Sequence, residues 1–139
     1  MKRLVYILIL CLTFSSCTSI ESVFIDNSSL LGKWNWTSTT GGINGNINHT
    51  PTSLGKTVQI IFAKDYTFSI LEDGQEVSKG NYNLEIGENN RDSKISYSGN
   101  YKKIQGVVLL GVYYFHSNNE LIISDGYADG IASAFSKVQ

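Results

Sequence analysis

Beyond about residue 30 the chain alternates apolar and polar positions, with interruptions by Asp-Gly, Gly-Asn, Asn-Asn and Ser-Gly every few residues. That is the period of strands joined by short turns. Trp34 and Trp36 alternate with Lys33, Asn35 and Thr37, and Val58, Ile60 and Phe62 alternate with Thr57, Gln59 and Ile61. A turn at Lys64-Asp65 leads to Phe68 and Ile70, and Glu72-Asp73-Gly74-Gln75 predicts a tight hairpin, because Asp-Gly tolerates the positive φ that such turns require. A strand follows over residues 77–86 with Tyr82, Leu84 and Ile86 on one side, then a polar loop at residues 88–92, then a strand marked by Ile95 and Tyr97. Residues 104–116 are almost continuously apolar, which predicts a strand buried on both faces or bulged, with Gly106 and Gly111 as bends. Asn118-Asn119 turns the chain into a strand at Leu121 to Ile123, Asp125-Gly126 and Asp129-Gly130 turn it again, and residues 131–138 form the last strand. No stretch has the spacing of a long amphipathic helix. About eight sequential strands with mostly short connections predict an all-β, up-and-down antiparallel meander. An open sheet of that size would leave two bare edges, so closure into an eight-stranded barrel is the expected solution.

Composition narrows this picture. The chain has 139 residues, 42% hydrophobic and 12% aromatic, enough for one domain with a core and too few for two. A formal net charge of −1 without a basic run gives no means of neutralising a phosphate backbone, which argues against nucleic acid as a partner.

The N-terminus departs from the meander. Lys2-Arg3 precede an apolar run over residues 4–12 and then Thr13-Phe14-Ser15-Ser16-Cys17, the three parts of a secretory signal. The run is about half the roughly 20 residues of a spanning helix, so residues 1–16 are expected to be cleaved. Phe14-Ser15-Ser16-Cys17 resembles the lipobox of bacterial lipoproteins, with Phe14 where Leu or Val is usual. The resemblance implies lipidation at Cys17, with palmitate-type chains, and so a membrane partner through a lipid anchor. Without Lys2 and Arg3 the chain holds nine basic against twelve acidic residues, a formal −3, and Cys17 is its only cysteine. No intramolecular disulfide is then available. Residues 17–29 read as the lipidated cysteine with a polar tether, and residues 30–139 as the barrel domain.

Candidate chemistry is sparse. His49 and His116 are the only histidines and lie far apart in the chain, without cysteines at zinc-ligand spacing. No nucleophile elbow, His-Glu-x-x-His or phosphate-binding glycine loop is present, so the expectation is no enzyme, no metal and no cofactor. Asp125 to Gly130 carries two carboxylates but lacks the remaining ligands of an EF-hand loop, and reads as two Asp-Gly turns. The segment over residues 38–55, with Gly41-Gly42, Gly45, His49 and Pro51, reads as a long loop across one barrel end, equally a surface loop or a lid. Trp36, Ile60, Phe62, Phe68, Tyr82, Tyr97, Tyr113 and Phe115 are the candidates for lining a pocket, with filling of the core as the alternative role for most of them.

Leu31-Gly32-Lys33-Trp34 resembles the Gly-x-Trp start of lipocalins. With the meander, the turn and strand from Asp65 to Phe68, the strand start Gly80-Asn81-Tyr82 and the closing Asp129-Gly130 to Phe135-Ser136-Lys137, the chain resembles small lipocalin-like lipoproteins of Bacteroidetes-type bacteria. The resemblance spans residues 30–138. It implies an eight-stranded barrel and a small apolar ligand, with Gly32 and Trp34 as structural elements where the barrel starts. The chain departs from the family pattern in having no disulfide and no recognisable helix against the barrel. The expected function is a membrane-anchored lipocalin-like lipoprotein binding a small apolar or amphipathic ligand in the cell envelope, at the barrel mouth under residues 44–50. The alternative is a non-enzymatic interaction protein with a filled barrel whose loops contact an envelope protein or glycan. The outer membrane is the expected location, on its periplasmic face, since residues 18–22 lack the acidic run that resembles a surface-export signal.

Overall fold

The computed structural model describes residues 25–87 and 93–139. The signal segment, Cys17, most of the tether and the polar loop at residues 88–92 lie outside the described residues. Nine strands follow in order: β1 (Gly32–Gly41), β2 (Ile47–His49), β3 (Val58–Phe62), β4 (Thr67–Glu72), β5 (Gln75–Glu85), β6 (Lys94–Asn100), β7 (Gly111–Ser117), β8 (Glu120–Ser124) and β9 (Ile131–Lys137). All pairings are antiparallel, each strand from β3 to β9 pairs with the next, and β1 pairs with both β3 and β9. The sheet therefore closes into an eight-stranded up-and-down barrel, and β2 is a short flap hydrogen-bonded to the upper half of β1.

Local chemistry explains the turns. Asp73 and Gly74 take φ of 51° and 78°, the two left-handed positions of a type I′ hairpin between β4 and β5. Between β3 and β4 the Asp65 carboxylate accepts from the Thr67 hydroxyl and backbone N–H, at 2.6 and 3.3 Å. These bonds hold the Asp65 carboxyl below the usual carboxylate range. Gly80 and Gly99 face each other across β5 and β6, and a Cβ on Gly80 would fall 2.0 Å from the Ser98 carbonyl oxygen. Only glycine permits that approach. Phe68, opposite Gly80 on the next strand, packs its ring on Tyr97 at 4.3 Å.

Two departures from the expected pattern matter for the interior. Residues 104–110, expected in the first half of one long apolar strand, belong instead to a segment, 101–110, that forms no strand; it folds inward with Ile104, Val107, Val108 and Leu109 buried, and β7 begins only at Gly111. A two-faced apolar strand would need sheet on both sides, and burial of the same side chains inside the barrel end is the solution adopted. The expected loop at residues 38–55 is largely structured: β1 continues to Gly41, β2 folds back on it, and a single helical turn α1 (Pro51–Leu54) follows. Thr50 and Ser53 form a capping box there, Pro51 occupies the first turn, and Gly55 closes it in left-handed geometry.

The core is one cluster drawn from every barrel strand, with Trp34, Ile60, Ile70, Leu121, Ile123 and Phe135 fully buried. The N-terminal chain, the β3–β4 and β7–β8 turns and the end of β9 lie at one end, the lower. The β1–β3 connection, the β4–β5 hairpin, residues 101–110 and residues 125–130 lie at the other, the upper.

Candidate functional site

The eight residues proposed from sequence are brought together, as core. Trp36, Ile60, Phe62, Phe68 and Tyr82 are buried, and Tyr97, Tyr113 and Phe115 pack against them half-buried. Phe62 meets Tyr82 edge-on at 5.1 Å, Tyr113 meets Phe115 edge-on at 6.2 Å, and Tyr97 stacks on Tyr101 at 5.3 Å. These rings fill one another's space, as expected in a barrel whose lumen barely holds its own side chains.

Both ends are closed by the chain itself. At the lower end residues 25–31 run beneath the barrel. Trp34 donates its indole N–H to the Leu30 carbonyl at 2.7 Å and carries Lys137 over its ring at 5.1 Å. Asn27, buried at the end of the expected tether, donates to the Tyr82 hydroxyl at 2.6 Å and the Lys64 carbonyl at 3.3 Å. Tyr82 in turn donates to the Ala63 carbonyl at 3.0 Å, and the Tyr66 hydroxyl donates to the Ile25 carbonyl. Trp34 is thus part of the lower seal, and Gly32, at φ 111°, begins β1 beside it.

At the upper end the seal is residues 101–110, held by two inward serines. Ser78 accepts from the Lys102 backbone N–H at 2.9 Å, and Ser133 accepts from the Val108 backbone N–H at 2.7 Å. The Ser133 hydroxyl also shares a hydrogen bond of 2.5 Å with Thr39, which accepts the Trp36 indole N–H at 3.0 Å. Buried main chain requires partners, and small polar side chains on the barrel wall supply them without occupying the space the segment needs. Sequence reading missed Ser78, Thr39 and Ser133. Polar residues inside otherwise apolar strands were the available signal.

Over this upper seal lies a groove of about 440 Å³ with a largely apolar floor, lined by Ile104, Val107, Leu109, Leu110 and Ile131 with Lys103 at its rim. Asp125 also reaches it, but its carboxylate is engaged by the backbone N–H groups of Tyr127 and Ile131, at 3.2 and 3.1 Å. The Gly42 N–H donates to the Gly130 carbonyl, so the tip at residues 42–46 stands beside the loop at 125–130. Ile43 and Tyr127 on these two loops are 71% and 80% exposed, and Leu110 at the groove is 42% exposed. Ile86, Tyr114 and Val138 are likewise exposed toward the lower end, so apolar exposure is not peculiar to the upper one; what sets the upper end apart is that its exposed apolar groups border a groove. The sequence placed the mouth under residues 44–50; His49 and Leu54 do close on Gly106, beside a separate depression of about 240 Å³.

The Tyr97 hydroxyl is buried without a hydrogen-bond partner among the described residues, and burial pushes its pKa well above that of a free tyrosine. Tyr82, Tyr101 and Tyr113 are pushed up by the same cause. His49 sits on β2 at the upper end and His116 is exposed near the lower end of β7. Among the described residues no group of three or more His, Cys, Asp or Glu is placed to hold a metal ion, and no helix is long and apolar enough to cross a membrane. Comparison of the chain with models of known families, with curated proteins and with solved structures returns no match.

Proposed function

We propose that this protein is a lipid-anchored, non-enzymatic, lipocalin-like module of the bacterial cell envelope that takes a small apolar or amphipathic ligand at its upper mouth, not in its lumen. The observation that carries this reading is the apolar groove of about 440 Å³ above a lumen occupied by the protein's own aromatics. Its volume falls in the range of small-molecule sites, and Lys103 at the rim suits the polar head of an amphipathic molecule. Anchoring at Cys17 fits the same geometry, because the described chain enters at the lower end and the groove opens at the opposite one.

Exposed Ile43 and Tyr127 beside the groove favour a second reading, in which the same end engages an envelope protein or glycan through its loops. Native mass spectrometry of protein extracted from the envelope separates the two. A co-purifying small molecule that disappears in Leu110→Arg, a change at a partly exposed position, supports the groove. A molecule retained in Leu110→Arg places the ligand elsewhere. If no small molecule is bound, and an envelope protein or glycan binds the wild-type chain but not Tyr127→Ser, the second reading is supported.

A further inference from the structure

The barrel closes weakly at one seam. β6 and β7 pair only at Lys94 with Val112 and Ile95 with Gly111, supplemented by the Tyr113 N–H donating to the Ser93 carbonyl at 2.8 Å. Above Ile95, β6 continues for five residues, from Ser96 to Asn100, paired with β5 alone.

The direction of the free groups follows from hydrogen-bond parity. Tyr82 donates its backbone N–H to the Tyr66 carbonyl on the β4 side, so its polar groups point away from β6. Tyr97 lies directly opposite Tyr82, and in an antiparallel pair opposed residues either face each other or both face away. The backbone N–H and C=O of Tyr97 therefore point to the β7 side, as do those of Gly99 two residues on. Neither finds a backbone partner among the described residues. Ser96, Ser98, Gly99 and Asn100 are exposed, so water reaches this edge.

Exposed edges are normally guarded by a charge, a proline or a bulge. Residues 96–100 read Ser-Tyr-Ser-Gly-Asn and carry no charge or proline, and the β5–β6 register runs unbroken along them. We infer that the β6 edge at Tyr97 and Gly99 is a docking site for an extended strand of a partner protein, added antiparallel to the barrel wall.

A second copy of this chain fits less well. Two β6 edges joined antiparallel are related by a two-fold axis perpendicular to the sheet, which inverts one barrel relative to the other. Their lower ends then point in opposite directions, and both cannot be anchored in one membrane; this step alone rests on the anchor proposed above. Charge indicates the partner's chemistry. Lys102 and Lys103 stand just past the upper end of the edge, and Glu72 is shared between Lys102 and Lys56 at 3.4 and 3.3 Å. Glu76 is paired with Lys79, and Asp125, which lines the groove with Lys103, is engaged by backbone N–H groups; Lys102 and Lys103 leave the corner positive, so the docked strand carries carboxylates at its N-terminal end, which antiparallel addition places beside these lysines.

Residue-resolved amide hydrogen exchange on the intact protein tests this, with a synthetic peptide of alternating valine and threonine preceded by two glutamates as the probe. In the free protein Tyr97 and Gly99 exchange fast while Ser96 and Ser98, which face β5, are protected. Saturating peptide slows Tyr97 and Gly99 by about tenfold or more and leaves Ser96 and Ser98 unchanged. Ser98→Glu, at an exposed position, weakens the peptide severalfold while keeping the fold, and Tyr127→Ser has no effect, which separates this edge from the mouth. Protection of Tyr97 and Gly99 in the free protein, protection that depends on protein concentration alone, or no response to the peptide would each overturn the proposal.

Discussion

The two ends of the barrel are closed by opposite means. The lower end uses large side chains with polar tips: Trp34, Tyr66 and Tyr82 fill the opening and reach out to bind the main chain at Leu30, Ile25 and Ala63. The upper end inverts the arrangement. A length of main chain enters the barrel, and small side chains, Ser78 and Ser133, receive its N–H groups. A side-chain seal stabilises through buried apolar area, whereas a main-chain seal depends on a few hydrogen bonds that are costly to leave unmade. The lower seal is accordingly the structural end, and the upper one presents irregular backbone and an apolar groove to the surroundings.

Truncation at the lower end breaks this contrast most forcefully. Trp34→Ala removes a fully buried indole together with its bond to Leu30, and is expected to cost about 3–5 kcal/mol in denaturant unfolding. At the upper end Ser133→Val strands the Val108 N–H and leaves the Thr39 hydroxyl only its bond from Trp36, an expected loss of about 2–3 kcal/mol. Its signature is faster hydrogen exchange confined to residues 101–110. Exchange accelerated evenly over all strands would mean that the two seals are not separate.

Removing a single hydroxyl sharpens the comparison, because the sign differs with position. Tyr82→Phe deletes a hydroxyl that accepts from Asn27 and donates to Ala63, and should destabilise by about 1 kcal/mol. Tyr97→Phe deletes a hydroxyl with no partner among the described residues and should be neutral or stabilising by up to about 1 kcal/mol. Equal losses in both variants would show that Tyr97 is satisfied.

The smallest effect at neutral pH is the alkaline one. Burial raises the pKa of Tyr82, Tyr97, Tyr101 and Tyr113 in the folded state. The unfolded chain therefore loses these protons first, and their stabilising contribution, fully present below about pH 10, falls away as the pH rises toward the folded values. The slope of stability against pH above 10 should be shallower in Tyr97→Phe by about one proton.

Much of this architecture was legible because strand period and turn chemistry are local. Asp73-Gly74 announced its hairpin, and the alternation around Trp34 and Ile60 gave the inward face of β1 and β3. The alternation failed where a bulge intervened. The β1–β9 register shifts between Trp36 and Ser38, which turns Thr39 inward beside Ser133 instead of Ser38. Residues 104–110 were legible as buried but not as irregular, since hydrophobicity reports that a segment leaves water and not what backbone it adopts.

By itself the sequence determined the strand class, the barrel as the economical closure and the aromatic identity of the interior, because each follows from the spacing of apolar residues along the chain. Only the tertiary structure decided that residues 101–110 turn into the barrel, that Ser78 and Ser133 receive them, and that Tyr97 and Gly99 have no backbone partner on the β7 side among the described residues. Those outcomes depend on which distant segments compete for one interior and one strand edge, and such competition has no period in the sequence.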